Sequence, residues 1–530
     1  MMRWTRREFL YVPGASGALM SAPGSKTRIG LVRSDHARLR RPASPEAPLD
    51  YETVREMVWR AIGYGAPAAG SLEAKIKPGS WVVIKPNLVS LRPLPWYRTG
   101  DVTDFRVTEA VFEYVARHSA ARRITLAEGG SYRRPSDPAE DNHVLQNGQP
   151  VDAYSFDWGP QEFPGWNGSM AGMIARLSNA FPDKQFDYVD LSYDAVRDPA
   201  GDFARLPVPV AANGVGAFSR RPDYFVTNTI RNCDFLVVVP VMKIHLQCGI
   251  TVCLKSYVGT APREAYSIPG IFSNHNLHRQ HETDGRIDHF ITDLAAFHPP
   301  DYCVVDAIRG LQQQEHGNGN PDQMVRSNMV LAGEDPIAVD ALCSKLMGLN
   351  PWDVEMLHQG QKRLMGTMSL AHVEVRGDEP DRFTRRWDKA RRWYGRCNRE
   401  WMVTASPASD LRTWKRLEAA ADTLDLVRAL GPSASYGAAV RVHADGPRKG
   451  FVWVGLRGKL RAALNGREIM HRECETTYRV GQLQYRMELD RGENLLDFRL
   501  EPVGGKALLS VLITDLGNAG DTMEGIRYLT

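Results

Sequence analysis

The sequence of 530 residues lacks several features that mark specialised classes of protein. No apolar run reaches the roughly 18 residues of a membrane-spanning helix, so we predict no membrane span. Seven cysteines occur without a single Cys-x-x-Cys pair, so the sequence predicts neither a disulfide framework nor an iron-sulfur cluster. The net charge is only +4, and no basic run with interleaved aromatics follows the first forty residues, which argues against a nucleic-acid partner.

The chain is too long for one ordinary hydrophobic core, and its hydrophobic patterns predict several domains. Amphipathic helices alternate with short buried strands in the first part, which predicts an α/β fold with mainly parallel sheet and flanking helices. Short β-type segments between turn residues near the end predict an all-β, jelly-roll-like sandwich. The predicted domains are an α/β domain over 26–380, a charged helical connector over 381–435 and the sandwich over 440–530.

The N-terminus resembles an export signal. The segment Thr5 to Leu10 contains Arg6 and Arg7 in the pattern of a twin-arginine motif, and a stretch rich in Gly, Ala and Ser follows it to Ser25. We therefore predict a signal or tail over 1–25 and a periplasmic or extracellular location. The alternative is a disordered arginine-rich tail on a cytoplasmic protein.

The segment from Cys233 to Gly259 is the most informative part of the chain. Five consecutive apolar residues, Phe235 to Val239, predict a strand that is buried on both faces, as in parallel sheets. Lys243, His245 and Lys255 follow that strand. Because open α/β sheets bind ligands outside the carboxyl ends of their strands, we expect these three side chains to face a site.

Polar residues also follow other predicted strands, among them a short apolar strand predicted from Tyr302 to Val305. Parallel strands bring their carboxyl ends to one rim, so these residues are expected to bind substrate together. The candidate binding residues are Lys85, Asn87, Glu128, Lys243 and Asp306. A rim that carries several basic groups suits an anion, and we predict a small anionic partner such as a hydroxy acid or a sugar acid.

The residue types suggest roles. Lys243 and His245 are two apart in an extended segment and point the same way, so His245 is a candidate for proton exchange while Lys243 holds a carboxylate or phosphate. Lys255, if it is desolvated, is a candidate nucleophilic amine. The alternative for each lysine is a side chain that reaches out to water, and for His245 a structural hydrogen-bond donor.

Histidines are concentrated between His245 and His316, where seven of the fourteen lie. His275, His278 and His281 would align on one face if their segment were helical. We predict that His275 reaches the site as a third catalytic residue and that the others lie at the surface.

A metal site is a weaker alternative. His245, Cys248 and Cys253 form a His-x-x-Cys-x-x-x-x-Cys array, but no fourth ligand follows at a recognisable spacing. We therefore assign no metal ligands, although a divalent metal stays open as a cofactor.

Two further features have structural explanations. Asp335 and Pro336 suit the cap and first position of a helix that extends to about Met347, which removes Asp335 from the catalytic candidates. The charged runs within 385–393 and 414–422 are typical of connecting helices with solvated faces.

Several motifs together resemble one known family. The resemblance, to the family called domain of unknown function 362, spans about residues 80 to 350, with 131–222 as an insertion that we interpret as a lid or subdomain. Many members carry ferredoxin-type cysteine clusters, which this chain lacks. The motifs are Val83 to Leu88, Ala127 to Gly130, Val239 to His245, Leu254 to Gly259, Val305 to Gly310 and Gly333 to Asp340.

The histidine followed ten positions later by a lysine is also similar to the nickel-pincer lactate racemase family. That resemblance implies an isomerase or racemase and a nickel-pincer nucleotide cofactor. Lys255 would then tether the cofactor, His245 would be a ligand or an acid/base, and His275 would correspond to a later histidine.

The turns around Asn465 and Gly492 resemble those of galactose-binding-like modules, which implies a possible glycan partner for the sandwich. Two hypotheses follow from the whole sequence. The first is an exported enzyme that acts on a small anionic substrate. The second is a non-catalytic exported protein that binds an anion or a glycan.

Overall fold

The fold is taken from a computed structural model. The residues that the structure describes are 26–67, 70–88, 100–129, 143–146, 149–159, 163–166, 168–266, 281, 286–315, 321–390, 393–419, 421–474, 477–516, 522–523 and 525–529. The predicted export segment 1–25 and His275 lie outside these residues, so both stay predictions.

A central sheet of eight strands organises the first part of the chain. Its strand order is β14-β1-β13-β12-β9-β2-β3-β6, and every neighbouring pair is parallel except the two pairs made by β13. The predicted mainly parallel sheet is thus confirmed. The strands of this part are β1 (Thr27–Arg33), β2 (Trp81–Pro86), β3 (Arg123–Glu128), β4 (His143–Gln146), β5 (Gln149–Asp152), β6 (Gln185–Asp190), β7 (Arg205–Pro207), β8 (Asp223–Phe225), β9 (Phe235–Val239), β10 (Lys243–His245), β11 (Gly249–Thr251), β12 (Tyr302–Leu311), β13 (Met324–Gly333) and β14 (Val373–Gly377).

Helices cover both faces of this sheet. The α-helices are α1 (Tyr51–Tyr64), α2 (Leu72–Lys75), α3 (Phe105–His118), α4 (Met170–Ala180), α5 (Asn228–Asn232), α6 (Arg263–Tyr266), α7 (Asp288–Ala295), α8 (Pro336–Leu346), α9 (Glu355–Lys362) and α10 (Leu426–Leu430). The 3₁₀ helices are Ala153–Ser155, Leu191–Tyr193, Leu254–Thr260, Pro321–Gln323, Pro351–Asp353, Leu370–His372, Pro380–Arg382 and Leu411–Thr413. No helix within the described part of the chain is long and apolar enough to cross a membrane.

Alternate residues of each strand enter opposite hydrophobic cores. Val82 and Ile84 of β2 lie in a core with α1 and α3, whereas Val83 lies in a core with α7 and α8. Because both faces are covered, the central strands are apolar without interruption, which is why β9 was recognisable from its sequence.

The predicted insertion 131–222 contributes to the main body. Its helix α4 packs on the α1–α3 side of the sheet, and β6 pairs in parallel with β3 along the edge. These described elements correct the interpretation of the whole segment as a separate lid or subdomain, because a helix followed by a parallel strand extends an α/β sheet.

The last part of the chain is a curled antiparallel sheet of sandwich type, as predicted. Its long strand β19 joins the two faces: one half pairs with β21 and β23, and the other half with β20 and β22, around Gly458 at φ +134°. The strands are β15 (Glu400–Thr404), β16 (Lys415–Glu418), β17 (Leu424–Asp425), β18 (Tyr436–Ala444), β19 (Arg448–Leu464), β20 (Arg467–Cys474), β21 (Leu483–Leu489), β22 (Gly492–Glu501), β23 (Leu508–Asp515) and β24 (Ile526–Leu529).

The helical connector predicted over 381–435 was wrong for most of that segment. Strands β15 and β16 pair with each other, and β15 also pairs with β18, so they extend the sandwich. The charged residues of β16 lie on the exposed surface, while Trp401 of β15 is buried in the sandwich core. Charge density alone did not distinguish a solvated helix face from an edge strand.

A buried ion network joins the α/β body to the sandwich. Glu355 at the start of α9 accepts from Arg396 Nε at 2.9 Å and pairs with Arg399 Nη2 at 3.1 Å. Arg399 also pairs with Asp422 at 2.8 Å, and Asp422 accepts from Arg286 at 3.0 Å. Apart from Arg396, whose side chain is 18% exposed, the members of this network are nearly inaccessible to water, so their charges depend on one another.

Candidate functional site

The carboxyl ends of the central strands lie side by side, as their register requires. Ile84 of β2 pairs with Leu126 of β3 and with Val237 of β9. The residues that follow these positions therefore share one edge of the sheet, where Lys85 and Glu128 lie.

Lys85 and Glu128 bind each other. The Lys85 Nζ donates to Glu128 Oε1 at 2.8 Å, and both side chains are only 1% exposed. Two backbone N–H groups also donate hydrogen bonds to the Glu128 carboxylate: Gly129 to Oε1 at 2.9 Å and Leu88 to Oε2 at 2.7 Å. The pair is an internal structural element, and its charges are not presented to a ligand.

Gly259 closes over this ion pair. A Cβ at that position would lie 2.2 Å from Glu128 Oε1 and 2.7 Å from Lys85 Nζ. Only glycine lets the end of the 3₁₀ helix Leu254–Thr260 approach so closely. Three separate sequence motifs thus meet at one point of the structure.

Lys243 is also neutralised within the protein. Its Nζ donates to Asp101 Oδ1 at 3.0 Å and to the Asp101 carbonyl oxygen at 2.7 Å. Lys243 is 2% exposed and Asp101 is fully buried. Of the three lysines in the predicted site, Lys85 and Lys243 are therefore already paired.

Asp306 fixes the start of helix α3. Its Oδ2 accepts from the Asp104 N–H at 2.8 Å, and its Oδ1 accepts from the Ile308 N–H at 2.9 Å. Burial, and then the neighbouring Asp104 carboxylate, raise the pKa of Asp306 to about 7. Burial also acts on Asp104, but Arg106 outweighs it and lowers the pKa of that carboxyl. These carboxyl groups face each other and Arg106, which indicates a structural contact.

Asn87 contributes its main chain to the same edge. Its N–H donates to Thr103 Oγ1 at 2.8 Å, and its carbonyl oxygen accepts from the Thr103 N–H at 2.8 Å. Thr103 Oγ1 donates in turn to the Val239 carbonyl oxygen at 2.6 Å. Asn87 is half-buried at the end of β2, beside the end of β9.

His245 is paired with a residue that the sequence analysis missed. Its Nδ1 accepts from the Gln247 N–H at 3.1 Å, and its Nε2 lies 3.2 Å from Glu315 Oε1. The Leu246 N–H donates to Glu315 Oε2 at 2.7 Å. Because Nδ1 is an acceptor, Nε2 is the nitrogen that carries a proton, and it is the nitrogen that faces Glu315.

Glu315 is the more exposed member of this pair, with its side chain 17% exposed against 6% for His245. It follows β12, which extends to Leu311 and not to Val305 as predicted. The rule that ligands bind at strand ends would have identified Glu315 if the true end of β12 had been recognised.

Lys255 differs from the other lysines. It lies half-buried in the 3₁₀ helix Leu254–Thr260, and within the described residues its Nζ makes neither a hydrogen bond nor an ion pair. Burial lowers the pKa of the ammonium from its ordinary 10.5, and the positive charge of Lys243 adds to that effect. The acidic groups of Cys248 and Glu315 oppose it.

Lys255 interacts electrostatically with two residues beside His245. Its positive charge acts on Cys248, whose Sγ lies 3.3 Å from His245 Nδ1, and the charge of Glu315 acts on Lys255. We therefore group Lys255 with the His245–Glu315 pair as a candidate site. We call these three residues the Lys255 site.

Asp340 of helix α8 holds the segment that carries Lys255. Its Oδ1 accepts from the Cys253 N–H at 2.7 Å, and its Oδ2 accepts from the Leu254 N–H at 3.1 Å. Burial raises the pKa of Asp340 to about 7. The neighbouring Asp335 caps α8 by accepting from the Ala338 N–H at 2.9 Å, in the role predicted for it.

The expectation that the other histidines lie at the surface was wrong for two of them. His281 is fully buried and stacks on Tyr224 with the ring centroids 3.8 Å apart, and burial lowers its pKa to about 4. His289 is 3% exposed, and its Nδ1 accepts from the Gln359 Nε2 amide at 2.8 Å. Both belong to the packing around α7.

The residues do not fit nickel or another metal at His245. Both ring nitrogens have protein partners, and Cys253 is hydrogen-bonded to Cys303. Burial raises the pKa of the Cys248 and Cys253 thiols, which disfavours the thiolates that metals bind. Among the residues that the structure describes, no three metal-binding side chains are grouped together.

Known proteins resemble the chain only in part. A lactate racemase apoprotein from Thermoanaerobacterium thermosaccharolyticum is 11% identical, with 57% of this chain and 56% of that chain covered and a TM-score of 0.28. A family 35 carbohydrate-binding module from an environmental isolate is 14% identical, with 18% of this chain and 72% of that chain covered and a TM-score of 0.15.

The chain thus spans less than two thirds of the lactate racemase. No curated protein matches the sequence. The family model described as Domain of unknown function (DUF362) matches residues 198–345, a segment that contains both His245 and Lys255. The family resemblance predicted from the motifs is therefore confirmed over residues 198–345, the segment that matches the DUF362 family model.

Proposed function

We propose that this protein is an enzyme that binds a small organic acid at Lys255 and transfers a proton through the His245–Glu315 pair. The observation that carries the proposal is the state of the lysines. Lys85 and Lys243 are neutralised by buried carboxylates, whereas Lys255 has no partner within the described residues. An ammonium of this kind is suited to a charge-assisted hydrogen bond with a substrate carboxylate.

The neighbouring pair supplies the acid/base chemistry. Glu315 Oε1 lies 3.2 Å from His245 Nε2 and Glu315 is the more exposed of the two, so its carboxylate is the member of the pair that meets substrate. His245 holds that carboxylate in place and exchanges a proton with it. A substrate bound by its own carboxylate at Lys255 would present its α-carbon or hydroxyl to Glu315.

The first test compares binding by wild type and Lys255→Met. Glycolate serves as the simple hydroxy acid and D-gluconate as the sugar acid, and calorimetric titration measures the dissociation constants. Loss of one charge-assisted hydrogen bond should weaken binding about ten- to a hundredfold. Lys345→Met, which removes an exposed lysine paired with Asp381, should leave binding unchanged. Equal affinities in wild type and Lys255→Met would contradict the proposal.

Proton transfer is tested separately from binding. Wild type is incubated with each acid in D₂O, and loss of the C2–H signal is followed by proton NMR. Glu315→Gln should retain binding and lose the exchange. If wild type binds an acid without exchanging its proton, the protein is a binding protein and not an enzyme of this type. A glycan partner for the sandwich and export by residues 1–25 stay predictions.

The lowered pKa of Lys255 predicts a specific pH dependence. Only the ammonium binds an anion, and burial makes this ammonium lose its proton at a lower pH than the ordinary 10.5. A bound carboxylate favours the charged form again, so binding takes up protons and affinity falls as pH rises through the lowered pKa. Titrations in buffers of different ionisation enthalpy measure this uptake. Lys255→Met should show none; equal uptake in both would assign it to another group.

A further inference from the structure

A cysteine, a histidine and an aspartate lie together at the amino edge of the central sheet. Cys233 lies two residues before β9, and His298 and Asp301 lie in the turn between α7 and β12. Because β9 and β12 are parallel neighbours, their amino ends meet at one edge. Lys85 and Glu128 lie at the opposite edge, where the strands end. We call Cys233, His298 and Asp301 the thiol site.

His298 contacts both the thiol and the carboxylate. Its Nε2 lies 3.1 Å from Asp301 Oδ2, and Cys233 Sγ lies 3.9 Å from its Nδ1 and 4.0 Å from its Nε2. Because Asp301 engages Nε2, Nδ1 is the nitrogen that can exchange a proton with the thiol. Burial alone would lower the pKa of His298, but the hydrogen bonds with Asp301 and Cys233 outweigh it and raise the pKa to about 10. The imidazole is therefore positively charged at neutral pH.

Other contacts hold the histidine and the aspartate in place. The Tyr257 hydroxyl donates to the His298 carbonyl oxygen, and the Leu236 N–H donates to Asp301 Oδ2 at 2.8 Å. The Asp301 N–H donates in return to the Leu236 carbonyl oxygen at 2.9 Å. The pair is thus positioned by the fold itself, as the base and the orienting group beside a nucleophile must be.

Cys233 differs from the other cysteines in its charged neighbour. A protonated histidine beside a cysteine favours the thiolate, which is the reactive form of the side chain. Cys474 is more exposed, but its sulfur contacts the neutral Thr477 carbonyl oxygen at 2.9 Å and Gln482 Nε2 at 3.2 Å. Burial raises the pKa of the other five thiols and disfavours their thiolates: Cys248, Cys253, Cys303, Cys343 and Cys397.

Cys233 lies close to the surface although it is buried. It is 6% exposed, and its neighbours Arg231, Asn232 and Asp234 are exposed. The side chain of His298 is 12% exposed. A small reagent therefore displaces little of the protein when it reaches the sulfur.

The nearby backbone argues against acyl transfer at this cysteine. The Cys233 N–H donates to the Thr229 carbonyl oxygen at 3.0 Å, and the Asp234 N–H donates to the Trp81 carbonyl oxygen at 3.0 Å. These groups are used within the fold and do not form an oxyanion hole, which acyl transfer requires. Thiol–disulfide exchange needs no such donors.

We propose that the thiol site is a modification site, at which Cys233 forms a mixed disulfide with a small-molecule disulfide. The thiol passes its proton to His298, and the thiolate attacks one sulfur of the reagent. A bond forms between Cys233 and that sulfur, the S–S bond of the reagent breaks, and the leaving thiolate takes up the proton. One disulfide is exchanged for another, so no further oxidant is consumed. This chemistry is independent of the Lys255 site and goes beyond the proposed function.

The test treats the reduced full chain with hydroxyethyl disulfide at neutral pH. Remaining thiols are blocked with N-ethylmaleimide at successive times, and tryptic digestion places Cys233 alone in peptide 232–243 and Cys474 alone in peptide 473–479. Mass spectrometry measures the fraction of each peptide that carries the mixed disulfide. Cys233 should react about tenfold faster than Cys474, although exposure alone predicts the reverse order.

Substitutions separate the charge of the histidine from packing. His298→Gln removes that charge, and Asp301→Asn removes the charge that supports it, so each should slow Cys233 about tenfold in the folded protein. His443→Gln is the matched control, because His443 also pairs with an aspartate, Asp445 at 3.6 Å, but lies on β18 of the sandwich. Its rate should equal that of wild type. In urea, where these contacts are lost, all four proteins should react at one rate.

The ratio of the two peptides in wild type decides the outcome even if a variant does not fold. A Cys233 that reacts no faster than Cys474 overturns the proposal. Equal Cys233 rates in folded wild type and folded His298→Gln overturn it too, because activation by the histidine would then be absent. Neither result changes the binding of an organic acid at Lys255, so the proposed function stands or falls by its own tests.

Discussion

Replacing Glu128 with glutamine will lower the free energy of unfolding by about 3 to 5 kcal/mol. The Lys85 ammonium is 1% exposed, and its carboxylate partner at 2.8 Å is Glu128. A neutral amide leaves that charge buried without compensation, which is the costly half of a buried ion pair. Urea unfolding at pH 7 measures the change, and a loss below 1 kcal/mol would contradict it.

Two comparisons isolate burial as the cause. Glu334→Gln breaks the pair with Lys75, which has a similar distance of 3.0 Å but is about a quarter exposed, and it should cost less than about 1 kcal/mol. Replacing both Lys85 and Glu128 by methionine removes both charges and should recover part of the loss. Failure of the double variant to recover stability would point to the hydrogen bonds from Leu88 and Gly129 as the main contribution.

Replacing Glu355 with glutamine will also lower the free energy of unfolding by about 3 to 5 kcal/mol, because Arg396 and Arg399 lose a buried partner between the body and the sandwich. Burial alone would raise the pKa of Glu355, but these arginines lower it below the ordinary 4.5. A lowered folded-state pKa gives stability that is present above pH 4.5 and is lost as pH falls toward the folded value.

Urea unfolding at a series of pH values tests both parts of this prediction. Wild type should lose stability below pH 4.5, and Glu355→Gln should lose less because it has no carboxyl to protonate there. Glu374→Gln is the matched control. Glu374 also pairs with two arginines, Arg376 at 3.0 Å and Arg28 at 3.5 Å, but its side chain is 42% exposed and its replacement should cost less than about 1 kcal/mol. Equal losses in both variants would show that burial is not the cause.

The strands of the body could be predicted where their apolar runs are continuous. The predicted strand Phe235–Val239 is β9 residue for residue, because both its faces meet hydrophobic cores. Strand β12 was predicted too short. Its later residues include Asp306, whose carboxylate is satisfied by the N–H groups of Asp104 and Ile308, and a local pattern does not reveal such distant partners.

For the candidate site, too, the positions of residues could be predicted from the sequence but their distant partners could not. The sequence placed Lys85 and Lys243 at the ends of strands, and the structure has them there. The sequence did not predict whether these lysines are available to a ligand. That depends on Glu128 and Asp101, which pair with them from other segments of the chain. Lys255 differs from the other two lysines in having no ion-pair partner within the described residues. The pattern of residues along the sequence does not show which lysine lacks a partner.

Strand β1 pairs with two strands that are made much later. Ile29 pairs with Gly333 of β13 and with Val375 of β14. During synthesis this apolar strand therefore leaves the ribosome long before either neighbour exists, and the sheet cannot close until Gly377 has emerged. Such distant pairing slows folding and exposes aggregation-prone surface for that interval. The nascent chain is thus expected to need chaperone protection for most of its translation.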